Sequence, residues 1–185
     1  EPLENLARAH VVVLTRADLL SLDARELIRQ RVSRIAPLAI WLEAGVRVDQ
    51  LLVHGQSPRS SAILRGMTVG AFCGIGNPAG FRRTLASVGA TIAGWREFPD
   101  HHRYQPRDID SLDAWSAGLA EAQAVVCTRK DWVKLDRDSL GGRPLWALDI
   151  SLEWLSPTNR LETLLETLGN PAREANADSS GKQRQ

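Results

Sequence analysis

Residues 68–81 read TVGAFCGIGNPAGF, and this stretch decides the fold class. Residues 68–73 form an apolar run that predicts a buried strand. A glycine-rich turn follows from Gly74 to Gly80, and Pro78 fits the first turn of a helix. The buried face of that helix is marked by apolar residues at helical spacing, Phe81, Leu85 and Val88. A strand, a glycine-rich turn and a helix in this order predict an α/β protein.

Strands and helices alternate outward from this stretch. Further strands are predicted at residues 11–14, 37–42, 91–98, 124–128 and 145–150. Helices are predicted after Ser21, around Leu112 and Trp115, and from Leu161 to Leu168. Residues 45–65 read as a connector with room for one strand at 51–54. Because parallel neighbours need crossover connections, this alternation predicts a mostly parallel sheet with helices on both faces.

Composition places the chain among ordinary globular proteins. Of its 185 residues, 43% are hydrophobic and 24% are charged, which excludes a wholly disordered chain. The 23 basic and 22 acidic side chains leave a net charge of +1, so nucleic acid is not an expected partner. Cys73 and Cys127 lie in apolar runs, which favours buried thiols and a reducing cytoplasm. Since no apolar run reaches the roughly 18 residues of a membrane span, we expect a soluble chain.

The carboxyl ends of the predicted strands carry the candidate site, because ligands of parallel sheets bind there. Gly74 and Gly76 could present backbone N–H groups to a phosphate, or equally serve a tight turn. Asp100 precedes His101 and His102 at the end of another strand. A carboxylate beside an imidazole suits general-base chemistry near neutral pH. The residues alone leave open the alternative of an Asp cap with two exposed histidines.

Two other loops carry polar groups at strand ends. Thr128, Lys130 and Asp131 follow the strand at 124–128, and Lys130 could reach an anion while Asp131 begins a helical turn. A solvated polar turn explains the same residues. Thr15 and Asp18 follow the first strand and also suit the start of a helix. No His and Cys cluster has the spacing of a zinc site.

Four strings together resemble the tetraacyldisaccharide 4'-kinase family, and the resemblance covers about residues 8–170. They are VLTRAD at 13–18, FCGIGNP at 72–78, FPDHHRY at 98–104 and CTRKDWVKL at 127–135. Their order and spacing are similar to those of the C-terminal half of that family. The resemblance implies a P-loop-kinase-like C-terminal lobe. It also implies ATP- and Mg²⁺-dependent phosphorylation of the 4'-hydroxyl of a lipid A disaccharide precursor at the cytoplasmic face of the inner membrane.

The resemblance also assigns roles to residues. It implies that His101, with Asp100 before it, partners a catalytic Asp supplied by an N-terminal half. It further implies phosphate or substrate contacts for a set of loop residues: Gly74, Gly76, Asn77, Thr128, Lys130 and Asp131. Thr15 and Asp18 would belong to a loop of the nucleotide-binding lobe. Arg129 stands where the family usually has Glu, so this chain lacks the carboxylate of that motif.

The expected organisation follows from the same resemblance. Residues 1–66 would end the nucleotide-binding lobe, residues 67–170 would form the C-terminal lobe, and residues 171–185 are expected to be disordered. No Gly-x-x-x-x-Gly-Lys-Ser/Thr run is present, so the P-loop and the membrane-associating segment are expected in a missing N-terminal part. We therefore expect this chain to be inactive alone.

Two other functions fit parts of the sequence. A dinucleotide-binding module could use the turn from Gly74 to Gly80, with Glu97 as a ribose ligand. That hypothesis leaves Asp100 and His101 unexplained. A catalytically inactive interaction fragment is the second alternative, and it fits the absence of a P-loop.

Overall fold

The structure is a computed structural model, and it describes residues 1–169. Its strands are β1 (Val11–Thr15), β2 (Ile40–Val53), β3 (Thr68–Cys73), β4 (Thr91–Glu97), β5 (Ala124–Thr128), β6 (Ser139–Leu140) and β7 (Arg143–Trp154). Its helices are α1 (Leu22–Ile35), α2 (Pro78–Ser87), α3 (Pro106–Ala117), α4 (Arg129–Leu135) and α5 (Asn159–Gly169). The disordered tail expected at residues 171–185 lies outside the described residues. None of the helices within residues 1–169 is long and apolar enough to cross a membrane.

The chain divides into two compact units. One contains residues 1–46 together with the segment from Leu152, and the other contains Arg47–Ser151. The expected boundary at residue 66 differs from both of these boundaries. The difference arises because β2 and β7 are long strands that each pass from one unit into the other. The nucleotide-lobe role of residues 1–66 stays a prediction.

The larger unit contains a parallel sheet. Its strands are ordered β4, β3, β5 and β7, and each neighbouring pair is parallel. The short strand β6 pairs antiparallel with the start of β7. This arrangement confirms the mostly parallel α/β sheet predicted from the alternation of strands and helices.

Helices cover both faces of this sheet, as predicted. On one face, Phe81 and Leu85 of α2 pack with Val69, Ala71 and Val126 of the strands. The other face buries Leu112 of α3 and Leu135 of α4 against alternate strand residues, Phe72, Val125 and Leu145. Successive residues of a strand point to opposite faces, so the unbroken apolar runs of β3 and β5 supply both cores.

The smaller unit begins with another strand, helix and strand. β1 pairs in parallel with the first part of β2, from Val11 opposite Ile40 to Thr15 opposite Ala44. Ser21 caps α1 by accepting a hydrogen bond from the Ala24 N–H at 3.3 Å. This confirms the predicted helix start, because a serine oxygen satisfies an N–H that the helix itself leaves free.

The connector expected at residues 45–65 is wrong over residues 45–53. The strand expected at 37–42 begins instead at Ile40 and continues as β2 to Val53. Polar residues at positions 47, 49 and 50 made this segment look like a loop. The exposed residues Arg47 and Asp49 alternate with the partly buried residues Val46, Val48 and Gln50, and this alternation is typical of a strand with one wet face.

The two cysteines are buried on opposite faces of the sheet, Cys73 against α2 and Cys127 against α3 and α4. Burial raises the pKa of the Cys73 thiol to about 12 and that of Cys127 well above its usual value. The nearby Asp131 carboxylate acts in the same direction. Both groups are therefore protonated thiols in the folded chain at neutral pH.

We expect Ellman's reagent at pH 8 to label both thiols at least about tenfold more slowly in the native chain than in guanidinium chloride. Because the thiol pKa values are higher in the folded than in the unfolded chain, the protonated thiols contribute to the free energy of unfolding. This contribution is present below pH 9 and is lost as the pH rises above it. Measuring absorbance of the released thiolate against time checks the rates. Equal rates in both conditions would contradict burial of the thiols.

Candidate active site

The loops after β3 and β4 and the first turn of α4, which follows β5 directly, meet at one edge of the parallel sheet. The Gly74 N–H donates a hydrogen bond of 2.9 Å to Oδ2 of Asp131. A Cβ atom on Gly76 would lie 3.1 Å from Oδ2 of Asp100. The prediction that the 74–80 and 99–104 loops share an edge is therefore confirmed, and the rule that carboxyl ends of parallel strands converge explains it.

Asp100, His101 and Lys130 form a charged cluster at this edge. Lys130 Nζ donates a hydrogen bond of 3.0 Å to Asp100 Oδ1 and lies 3.4 Å from His101 Nε2. The same imidazole nitrogen is 3.9 Å from Asp100 Oδ2. The Lys130 ammonium holds the pKa of the Asp100 carboxyl below its usual value. Two side chains of the loop after β4 thus meet one from the first turn of α4.

His101 reaches into solvent from a constrained backbone. Its side chain is 79% exposed, and its φ of 60° lies in the left-handed region that non-glycine residues seldom adopt. Asp100 Oδ1 accepts a hydrogen bond of 3.0 Å from the His101 N–H. An imidazole whose Nε2 carries no proton would accept from the Lys130 ammonium, which only donates. An imidazole in this form can take a proton from a hydroxyl.

His102 is anchored rather than exposed. Its ring stacks on Phe98 with centroids 4.8 Å apart, and its Nε2 lies 3.0 Å from Asp108 Oδ2. The same Asp108 oxygen accepts the Gln105 N–H at 2.8 Å at the start of α3. Both contacts lower the pKa of Asp108, and the hydrogen bond from the Gln105 backbone has the larger effect. The sequence reading missed Asp108, which the pattern Gln-Pro-x-Asp at a helix start could have shown.

Two expected ligand residues cap helices in the structure. Asn77 Oδ1 accepts a hydrogen bond of 3.0 Å from the Gly80 N–H at the start of α2. Thr128 Oγ1 accepts one of 3.2 Å from the Asp131 N–H at the start of α4. The alternative of an Asp cap at position 100 does not describe the structure, since α3 begins at Pro106. Substrate contacts of Asn77 and Thr128 stay predictions.

Asp131 has no exposed surface. Its Oδ2 accepts hydrogen bonds from Gly74 N–H and from Thr128 Oγ1 at 2.6 Å. Its Oδ1 makes no hydrogen bond within the described residues and lies 3.7 Å from Lys134 Nζ. A buried anionic group is a poor partner for a phosphate, because like charges repel and the oxygen cannot be reached. The expected phosphate contact of Asp131 does not fit this placement.

The remaining predicted residues lie elsewhere. Thr15 ends β1, and Asp18 lies in a 3₁₀ turn, so both belong to the smaller unit. Glu97, the ribose ligand of the dinucleotide alternative, accepts a hydrogen bond of 2.7 Å from Trp95 Nε1. Residues 1–169 contain no group of three or more His, Cys, Asp or Glu side chains that could hold a metal ion.

Comparison with known proteins places this geometry in a family. The family model described as tetraacyldisaccharide-1-P 4'-kinase matches residues 1–169. The tetraacyldisaccharide 4'-kinase of Anaeromyxobacter sp. (strain Fw109-5) is 35% identical over 168 residues, covering 90% of this chain and 44% of that protein. The enzyme of the same name from Halothermothrix orenii is 33% identical, covering 76% of this chain and 39% of that protein.

A solved structure is also similar. It is the crystal structure of LpxK from Aquifex aeolicus in complex with ATP, with a TM-score of 0.48 and 21% identity over 84% of this chain and 51% of that one. This chain spans less than half the length of the curated relatives named above. The family match extends over nearly all of the chain, from residue 1 to the end of α5. The chain therefore belongs to the tetraacyldisaccharide-1-P 4'-kinase family.

Proposed function

We propose that this chain supplies part of the active site of a kinase that transfers the γ-phosphate of ATP to the 4'-hydroxyl of a tetraacyldisaccharide 1-phosphate. The cluster of Asp100, His101 and Lys130 at the edge of the parallel sheet carries the proposal. Membership of the family supports the choice of ATP and the tetraacyldisaccharide 1-phosphate as substrates. It is also the ground for proposing the cytoplasmic face of the inner membrane as the location and the membrane surface as a partner.

His101 acts in this proposal on the proton of the attacking sugar hydroxyl. Its imidazole side chain is 79% exposed, so a substrate hydroxyl can reach it. As the oxygen attacks phosphorus and the bond to the leaving phosphate lengthens, the hydroxyl proton passes to Nε2. Asp100 then stabilises the imidazolium, whose nitrogen lies 3.9 Å from its carboxylate. An acidic partner from the N-terminal half would share this role.

Lys130 supplies positive charge beside the reacting groups. Its side chain is 42% exposed, and Nζ lies 3.4 Å from His101 Nε2. A fixed cation at this place favours negative charge on a nearby phosphate, as phosphoryl transfer requires. Mg²⁺, when bound by the complete protein, neutralises phosphate charge. The steps described here depend only on the side chains of this chain.

The complete activity is tested in a chimera that joins the N-terminal portion of the Anaeromyxobacter kinase to residues 1–185. We expect it to transfer ³²P from ATP to the disaccharide in detergent micelles, and Lys130→Met to lower kcat about tenfold because it removes the cation. Asp110→Asn, at an exposed position of α3, is the matched control. A chimera that folds and binds ATP but transfers no phosphate would contradict the proposed function.

A further inference from the structure

The buried Asp131 carboxylate connects the three loops of the candidate site. Its Oδ2 holds Gly74 at the end of β3 and Thr128 at the end of β5. Its other oxygen faces Lys134, and Lys134 Nζ in turn donates a hydrogen bond of 3.0 Å to the His102 carbonyl. One carboxylate therefore reaches the β3 and β5 loops directly and the β4 loop through a single lysine.

The packing around this carboxylate is close at Gly74. A Cβ there would lie 3.0 Å from Asp131 Oδ1 and 3.3 Å from the Pro99 carbonyl oxygen. Both contacts are tighter than ordinary van der Waals contact, so a side chain at this position would push the loop or the carboxylate aside by a few tenths of an ångström. The absence of a side chain thus has a structural reason that does not involve a bound phosphate.

A buried charge without complete compensation is costly to keep. Asp131 Oδ1 has no hydrogen-bond partner of ordinary distance and angle within the described residues. The Tyr104 phenol lies near this carboxylate, and burial together with the Asp131 charge raises its pKa. An apolar residue at this position would leave the buried Gly74 N–H without its acceptor, which costs about 1–3 kcal/mol.

We propose that Asp131 is a positioning residue that fixes the loops after β3, β4 and β5 so that Lys130 meets Asp100 and His101. The inference rests on the proposed function. Asp131 directly follows Lys130, so the hydrogen bonds that orient its carboxylate also set the start of α4 from which Lys130 projects. Lys134 fixes the carbonyl of the residue after His101. The Asp131 carboxylate, which substrate does not touch, therefore helps to position both Lys130 and the loop that carries Asp100 and His101.

The kinetic test uses the chimera described above with two variants. Asp131→Asn removes the charge but keeps an oxygen acceptor, and Lys134→Met removes the ammonium group but keeps the apolar stem. We expect kcat to fall about tenfold and about threefold respectively, with KM for both substrates within about twofold, because displaced groups act in the transition state. Asp110→Asn should equal the unsubstituted chimera. Variant kcat values equal to this control, or losses confined to KM, would overturn the positioning role.

A second measurement on the 185-residue chain separates this inference from the proposed function. In ¹⁵N–¹H spectra, Asp131→Asn and Lys134→Met are expected to shift the amide signals of Asp100, His101 and Lys130, which Asp110→Asn leaves in place. If these signals do not move, the positioning role is wrong whatever the activity. If they move while the unsubstituted chimera is inactive, only the proposed function fails. Lys134 has a partly exposed side chain, so its variant reports even if Asp131→Asn does not fold.

Discussion

Replacing His101 by alanine is expected to lower kcat of the chimeric kinase at least about 100-fold and to leave KM nearly unchanged. A general base typically contributes 10²- to 10⁴-fold, or about 3–5 kcal/mol of the barrier. The side chain is 79% exposed, so its removal should change stability little. Steady-state kinetics with both substrates checks this split, which is typical of an interaction made in the transition state.

The backbone at His101 requires a second variant. Its φ of 60° strains alanine, whereas asparagine tolerates the left-handed region. His101→Asn should therefore keep the loop conformation and still lose the activity, because a carboxamide does not take up a proton near neutral pH. Activity retained in His101→Asn would show that the loop shape matters and the imidazole does not.

His102→Ala is the matched control for the neighbouring position. Its ring stacks on Phe98 and pairs with Asp108, so its loss should lower the free energy of unfolding by about 2 kcal/mol. The loss in kcat should stay below about tenfold, since the ring does not belong to the charged cluster. Equal kinetic losses for the two histidines would contradict the separate roles assigned to them.

Gly141→Ala is expected to produce the largest loss of stability, about 3–5 kcal/mol in the free energy of unfolding. Gly141 lies in the turn between β6 and β7, with φ at +55°. A Cβ there would overlap the Asp113 carbonyl oxygen and lie 2.6 Å from the Ala117 nitrogen. Both are backbone atoms of α3, which cannot move aside without disturbing the helix.

Gly142→Ala is the matched control, because Gly142 also has a positive φ but would place its Cβ in open space. Only the backbone strain applies there, which costs about 1–2 kcal/mol. Urea unfolding followed by circular dichroism measures both variants. Similar losses at the two positions would show that close packing against α3 does not constrain this turn.

The sequence could predict much of the parallel sheet, and physical reasons explain where it could not. β3 and β5 are unbroken apolar runs, so their bounds were predicted correctly. The predicted strand ends too early, at residue 42, because Arg47 and Asp49 resemble loop residues. In the structure their side chains pair with each other on the wet face of β2. Local composition does not reveal this alternation when the partner strand is unknown.

The candidate site was predictable as a set of loops and not as a set of contacts. The rule on carboxyl ends of parallel strands brought Asp100 and Lys130 to one edge, and the structure places them 3.0 Å apart. The burial of Asp131 could not be foreseen, because its partner Gly74 is 57 residues away in the chain. A polar residue near a turn is expected to be exposed, and its burial can be recognised only when the distant segment that covers it is known.

Lysine is scarce in this chain, and its placement has a practical consequence. The sequence contains three lysines, Lys130, Lys134 and Lys182, and the two within the described residues both belong to the charged edge of the sheet. An amine-selective acylating reagent would therefore find side-chain targets in residues 1–169 only at these two positions. Peptide masses after such treatment, with and without a competing ligand, would footprint this edge directly without any engineered probe.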